Sequence, residues 1–186
     1  MRAFDFDNTI YKGESVFHFY LFSIKYNFSV IKYIPIVLYN LVKYKLGKTT
    51  MEDLQQAVKK YANDYLNSFD NKEKMIIDFW DAHIKNIKSW YQPREDDIII
   101  TASFNLIMDE LCKRLGVKTC ICSVVNPDTL AVEYLNFRDN KSKTFLRLYK
   151  NSRIDEFYTD NMVDKPMIDI AERAFLVKGD KIKRIK

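Results

Sequence analysis

The sequence predicts an α/β protein: a mainly parallel sheet with an all-helical block inserted after the first strand. Three observations carry this. The chain opens on an apolar run that ends in Asp5-Phe6-Asp7. Residues 14–92 carry helical apolar spacing and no strand-like run. From residue 93 onward, short continuous apolar runs alternate with helical patterns, which marks strands buried on both faces of a parallel sheet. The expected division is a core of residues 1–13 and 93–186 and a helical insertion of residues 14–92.

Composition bounds the class. At 186 residues the chain suits one generous domain, or a core carrying an insertion. A hydrophobic content of 47% with 30% charged residues excludes a disordered chain, and only 4 Gly and 4 Pro argue against a linker-rich one. The net charge is +5, but the basic residues are scattered and only residues 178–186 are dense, which reads as a solvated tail. No nucleic-acid partner is expected. Cys112, Cys120 and Cys122 have no accompanying His or second Cys pair, so they read as buried free thiols, in keeping with a reducing cytoplasmic location. No signal-peptide pattern opens the chain. The most membrane-like stretch, residues 28–46, is interrupted by Lys32, Lys43 and Lys45, and its charge-free part falls well short of the ~20 residues a span needs. Stable membrane insertion is therefore not expected.

Taken in order, residues 1–6 read as a strand and Tyr11-Lys12-Gly13 as a turn. Residues 14–26 read as a heavily covered helix, broken at Asn27-Phe28-Ser29, where Ser29 is a cap candidate for a helix over 30–46 ending at Gly47. Thr49 or Thr50 caps a helix to about 66, with Thr50-Met51-Glu52-Asp53 spaced as a capping box. Asp70 is expected to cap a helix to about 91, and Gln92-Pro93 ends the block. Strand 97–103, helix 105–115 closed by Gly116, and strand 117–125 follow, with 130–137 as hairpin partner or neighbouring strand. Residues 142–150 read as a short helix, 154–159 as a strand, 160–164 as an acidic loop, 165–173 as a helix with Pro166 in its first turn, and 174–177 with 182–185 as a hairpin.

In such a sheet, sites form at the carboxyl ends of the strands. Four features fall there: Asp5 with Asp7, Thr101, the segment holding Lys141 and Lys143, and Asp160 with Asp164. Acids at i and i+2 of a strand share a face and repel, so their coexistence needs a cation, a strong donor or solvent. Carboxylates from two loops suit Mg2+, and a lysine with a hydroxyl suits the spreading charge of a phosphoryl group. One carboxylate can act as nucleophile while a second trades protons. There is no Gly-rich phosphate loop, and His18 and His83 lie on or near apolar faces where packing explains them.

Asp5-Phe6-Asp7-Asn8-Thr9-Ile10 resembles the Asp-x-Asp-x-Thr first motif of the haloacid dehalogenase superfamily. Residues 98–101 look like its second motif, an apolar strand ending in Thr. Asp160-Asn161-Met162-Val163-Asp164 resembles the fourth, and Asp164-Lys165-Pro166-Met167 looks like the continuation common in the phosphoserine phosphatase-like branch. Glu14-Ser15 sits where that branch often has an acid and Ser, and the insertion resembles its helical cap. The resemblance implies a Rossmann-like, doubly wound sheet. It also implies Mg2+-dependent hydrolysis of a small phosphorylated metabolite. Asp5 is then the nucleophile that forms a phospho-aspartate, and Asp7 the general acid/base. Thr101 and Lys143 hold phosphoryl oxygens, with Lys141 as the alternative lysine. The metal falls to Asp5, the carbonyl of Asp7, and Asp160, with Asp164 in support. Thr101-Ala102-Ser103-Phe104 replaces the usual Ser-Gly-Gly-Phe, which argues against phosphoserine itself as the substrate. The usual Asn-Cys-x-Gly before the lysine is replaced by Asn136-Phe137-Arg138-Asp139. Phe17, Phe19 and Tyr20 either line a pocket or fill the insertion's own core. Transfer to an acceptor other than water, and a non-catalytic module that grips a partner through the insertion, are the rival expectations. The oligomeric state is not legible.

Overall fold

The computed structural model describes residues 1–36, 39, 43, 50–150 and 152–186. Seven strands form one sheet: β1 (Arg2–Phe4), β2 (Ile98–Phe104), β3 (Thr119–Val125), β4 (Val132–Tyr134), β5 (Ile154–Thr159), β6 (Ala171–Lys178) and β7 (Lys181–Arg184). Their order is β4-β3-β2-β1-β5-β6-β7. β1 pairs in parallel with both β2 and β5, while β4 and β7 are antiparallel edges. Chain order runs one way from β1 through β2 to β3 and the other way from β5 to β6. The reversal falls at β1 and β5, the place where open α/β sheets form sites beyond the strand ends.

The apolar runs are continuous because both faces are covered. Alternation sends Phe4 and Ile99 to one core and Ala3, Ile98 and Ile100 to the other. The second core is completed by Phe145, Met167 and Ile168. The first runs without a break into the helices between β1 and β2, through Phe19, Phe69, Met75, Phe79 and Trp80.

Those helices are α1 (Ser15–Ser23), a 3-10 turn (Phe28–Tyr33), α2 (Met51–Asn67), α3 (Lys72–His83) and a second 3-10 turn (Ile84–Asn86). Thr50 caps α2 in a full capping box with Asp53. Asn27 rather than Ser29 caps the 3-10 turn, since its side chain accepts from the Ser29 N–H. Asn71 rather than Asp70 caps α3. Residues 34–36 are helical. The remainder of the expected 30–46 helix with its Gly47 terminus, apart from residues 39 and 43, and the Thr49 cap lie outside the described residues.

α3 stops at His83, well short of 91. The backbone there pairs with the loop after β1: the Lys12 N–H donates to the Asn86 carbonyl, and the Lys88 N–H to the Ile10 carbonyl, each at 2.8 Å. Tertiary pairing overrides helical spacing. Beyond β2, α4 (Asn105–Leu115) closes on Gly116 at φ +69°. α5 spans Asp139–Leu148 and so begins three residues before the expected 142. The Ser142 hydroxyl bonds back to the Asp139 carbonyl instead of capping. α6 (Lys165–Ile170) ends early because Ala171 and Arg173 pair with Ile154 and Glu156 of β5. No helix among the described residues is long and apolar enough to cross a membrane.

Candidate active site

The stretch after β1 is set by one tight turn. The Phe6 carbonyl accepts from the N–H groups of Thr9, Ile10 and Tyr11 at 3.0–3.2 Å. Asn8 takes φ +56°, a conformation that Asn tolerates better than most residues. Its side chain donates to Glu14 at 2.6 Å. The turn holds Asp5 at the end of the central strand and Asp7 beyond it.

Lys141, buried in the first turn of α5, donates to Asp5 Oδ1 at 2.7 Å and to Asp164 Oδ2 at 3.1 Å. Thr159, at the end of β5, also donates to Asp164 Oδ2, at 2.9 Å. Asp7 accepts from the Ser15 N–H at 2.7 Å and from the Ser103 hydroxyl at 3.0 Å, and the two serine hydroxyls meet at 2.7 Å. Thr101 is buried where the β2–β3 register shifts, and its Oγ1 accepts from the Ser103 N–H. Asp160 is half-buried, and its carbonyl accepts from Lys178 Nζ.

The electrostatics match this crowding. Burial pushes Asp5 up to about 7; Lys141 opposes the shift, while Asp164 and Asp7 add to it. Burial also raises Asp7, against the donors from Ser15 and Ser103. Burial raises Asp160, with Lys178 opposing and Asp164 adding. Lys141 is held well above the usual lysine range by Asp5 and Asp164, against its own desolvation.

Of the sequence-predicted residues, Asp5 and Asp164 are joined directly through one lysine, and Asp7 and Asp160 lie within electrostatic reach of them. That lysine is Lys141. Lys143 is exposed and turned away, because two residues along a helix rotate a side chain by about 200°. Ser15 and Ser103 were not singled out as functional, and neither was Asn136. The buried Asn136 side chain donates to the Thr101 and Ile121 carbonyls, leaving its Oδ1 without a partner. An amide flanked by Leu135 and Phe137 was the available signal. Phe19 and Tyr20 pack inward, with Phe19 5.2 Å from the Phe79 ring and the Tyr20 hydroxyl on the Val30 carbonyl, whereas Phe17 is exposed. His18 bonds the Tyr11 hydroxyl and His83 the Phe79 carbonyl. All three cysteines are free thiols, and hydrogen bonds with Cys112 and Cys122, followed by burial, raise Cys120. A hollow of about 510 Å³ on the helical segment, lined by Pro35, Ile36, Tyr39 and Tyr61, holds none of the acids.

A sequence profile of the haloacid dehalogenase-like hydrolases matches residues 3–169. The chain belongs to the haloacid dehalogenase-like hydrolases. Solved structures share its fold at low identity. One is a protein of unknown function from Bordetella pertussis Tohama I: 14% identity, 94% of this chain and 87% of that one, TM-score 0.59. Another is a phosphoserine phosphohydrolase-like protein from Francisella tularensis SCHU S4: 15% identity, 94% and 86% coverage, TM-score 0.58. A third is phosphoserine phosphatase as a phospho-aspartyl intermediate analogue: 14% identity, 92% and 83% coverage, TM-score 0.52. No curated protein matches the chain in sequence.

The donor set of this hydrolase fits a hard divalent cation. Asp5, Asp7, Asp160 and Asp164 crowd one strand-end region around the buried Lys141, and three of them are pushed toward protonation. Among the described residues, no three Asp, Glu, His or Cys side chains stand together as a ready-made metal centre. Mg2+ asks for less, since it keeps several waters and takes one or two carboxylates.

Proposed function

We propose that this hydrolase is a Mg2+-dependent phosphomonoesterase acting on a small phosphorylated metabolite, with helical segment 14–92 as a cap over the site. The observation that carries the reading is the buried Lys141 ammonium held between Asp5 and Asp164. A lysine so placed orients the Asp5 carboxylate and supplies positive charge where a phosphoryl group would meet it.

Asp5 is the nucleophile: a carboxylate oxygen attacks phosphorus, the ester P–O bond breaks, and the leaving oxygen takes its proton from Asp7. Asp7 suits that role because burial keeps its proton affinity raised while Ser15 and Ser103 fix its orientation. Asp7 then takes a proton from water as the water oxygen attacks the phosphoryl group on Asp5, releasing phosphate and restoring both acids. Thr101 donates to a phosphoryl oxygen. Asp5, the Asp7 carbonyl and Asp160 would hold Mg2+, with Asp164 steering Lys141. The ion, when bound, favours the ionised form of Asp5 and offsets charge on the phosphoryl oxygens.

The test is hydrolysis of p-nitrophenyl phosphate in Mg2+. Turnover that chelation removes, and that Asp5→Asn removes from folded protein, is expected. Folded wild-type protein inert across a broad phosphate ester panel would refute the reading. A phospho-Asp5 released only on adding an alcohol would point instead to transfer.

A further inference from the structure

We propose a second anion-binding subsite beside the catalytic acids, formed by Lys12, Lys88 and Lys178, that selects phosphate esters carrying a further negatively charged group. It rests on the phosphatase reading and narrows its substrate class.

A cleft of about 390 Å³ lies between the loop after β1 and the β6–β7 hairpin, lined by Asn8, Lys12, Lys88, Asp160, Lys178 and Gly179 among others. Asn8 follows Asp7 in the chain, and Asp160 is one of the proposed metal ligands, so the cleft adjoins the reacting centre. Its size is at the lower end of small-molecule pockets, ample for one carboxylate or phosphate arm.

Three lysines reach this cleft from three separate segments. Lys88 is only 3% exposed. Its ammonium donates to the Asn8 carbonyl at 2.5 Å and the Gly179 carbonyl at 2.7 Å. An ammonium has three N–H donors, so two carbonyls leave one over. Among the described residues, none of the three lysines is in an ion pair; the paired lysines are Lys74, Lys118, Lys141 and Lys165. Lys178 gives its ammonium to a carbonyl, that of Asp160, at 2.6 Å. Burial works against the Lys88 charge, and Asp180 and Asp160 offset that only from a distance, so a desolvation penalty remains that an incoming anion offsets. A purely structural role as struts between loops accounts for Lys88 and Lys178. It does not account for Lys12 on the wall of the same cleft. Asp160 is the acid among the lining residues, set against three lysines, so the cleft keeps an excess of positive charge.

The experiment compares 3-phosphoglycerate with glycerol 3-phosphate, which differ in one carboxylate. p-Nitrophenyl phosphate is run alongside as the measure of phosphatase activity itself. Wild-type protein is expected to favour 3-phosphoglycerate by tenfold or more in kcat/KM. Lys12→Gln and Lys178→Gln, both exposed positions, should each cut that ratio at least threefold, through KM. A wild-type ratio near one, or a ratio unmoved by both substitutions, overturns the subsite even while p-nitrophenyl phosphate is hydrolysed. If no ester turns over, the phosphatase reading fails by itself and the subsite is judged by calorimetric titration with inorganic pyrophosphate. Binding weakened at least fivefold by the double substitution supports the subsite, and equal or absent binding overturns it.

Discussion

Two lysines two positions apart on one helix make opposite predictions. Lys141 is buried against Asp5 and Asp164, and Lys143 faces solvent. Lys141→Ala should lower kcat/KM for p-nitrophenyl phosphate by 10²-fold or more, of the order found for removing one preorganised donor to a developing charge. Lys143→Ala should leave it within about twofold, and the reverse pattern would return the role to Lys143. The segment was legible in the sequence; the residue was not. The helix was expected to begin at residue 142, which put Lys143 in its first turn. The contact that decides is 136 residues long in sequence and leaves no local periodicity. Asp5 carries a second prediction. In metal-free protein its folded pKa, near 7, stands above the ordinary value of 3.8. Below pH 4 the folded and unfolded states are both protonated and nothing is lost. Between pH 4 and 7 the unfolded state releases a proton that the folded state keeps, so stability falls as pH rises and stays reduced above 7. Thermal melts in chelator should therefore show Tm dropping from pH 5 to pH 8, with a smaller drop in Asp5→Asn. Mg2+ should raise Tm more at pH 8 than at pH 5.

At the scale of elements, the loop from β1 to α1 is held by its own backbone bonds and by close packing. Gly13 sits in it at φ +98°, and a Cβ there would lie 2.6 Å from His18 Cε1 and 2.9 Å from Nε2. That ring is fixed in turn by the Tyr11 hydroxyl at 2.7 Å from Nδ1. Gly13→Ala combines a left-handed backbone with a clash against an anchored ring, and about 2–4 kcal/mol of destabilisation is expected in urea unfolding. Adding His18→Ala should recover only the part due to the clash, because the backbone strain remains. Full recovery would show that φ at this position relaxes freely. The sequence marked Gly13 as a turn and His18 as packing, both borne out in placement. That each requires the other could not be read, since nothing in the sequence shows which way the His18 ring leans. The strands were legible to within a few residues, because a sheet buried on both faces makes continuous apolar runs. The ends of α3 and α6 were not, because backbone pairing with a loop cuts short the one and strand pairing the other.

At the scale of the molecule, the helices between β1 and β2 share a core with the sheet. Trp80 on α3 is fully buried and donates to the Ile107 carbonyl of α4 at 2.6 Å. Its ring also meets Phe6 at 6.2 Å and Tyr11 at 5.9 Å, both in the loop that carries Asp7. One side chain thus ties the helical segment, the sheet's covering helix and the Asp7 loop together. A segment folding on its own would keep its apolar residues to itself, whereas here Phe79 and Trp80 belong to the same cluster as Phe4 and Ile99. The chain should therefore unfold in one transition. The sequence holds two tryptophans, so Trp90→Phe leaves Trp80 as the sole fluorescent reporter of the junction. Its fluorescence and the far-ultraviolet circular dichroism of the whole protein should give coincident urea midpoints, the mark of two-state behaviour. Trp80→Phe, which keeps an aromatic ring but loses the bond to Ile107, should lower the circular dichroism midpoint while the transition stays single. Two resolved transitions in the Trp90→Phe protein would mean that the helical segment and the sheet are separate cooperative units. The loop bearing Asp7 would then not be braced by the packing around Trp80.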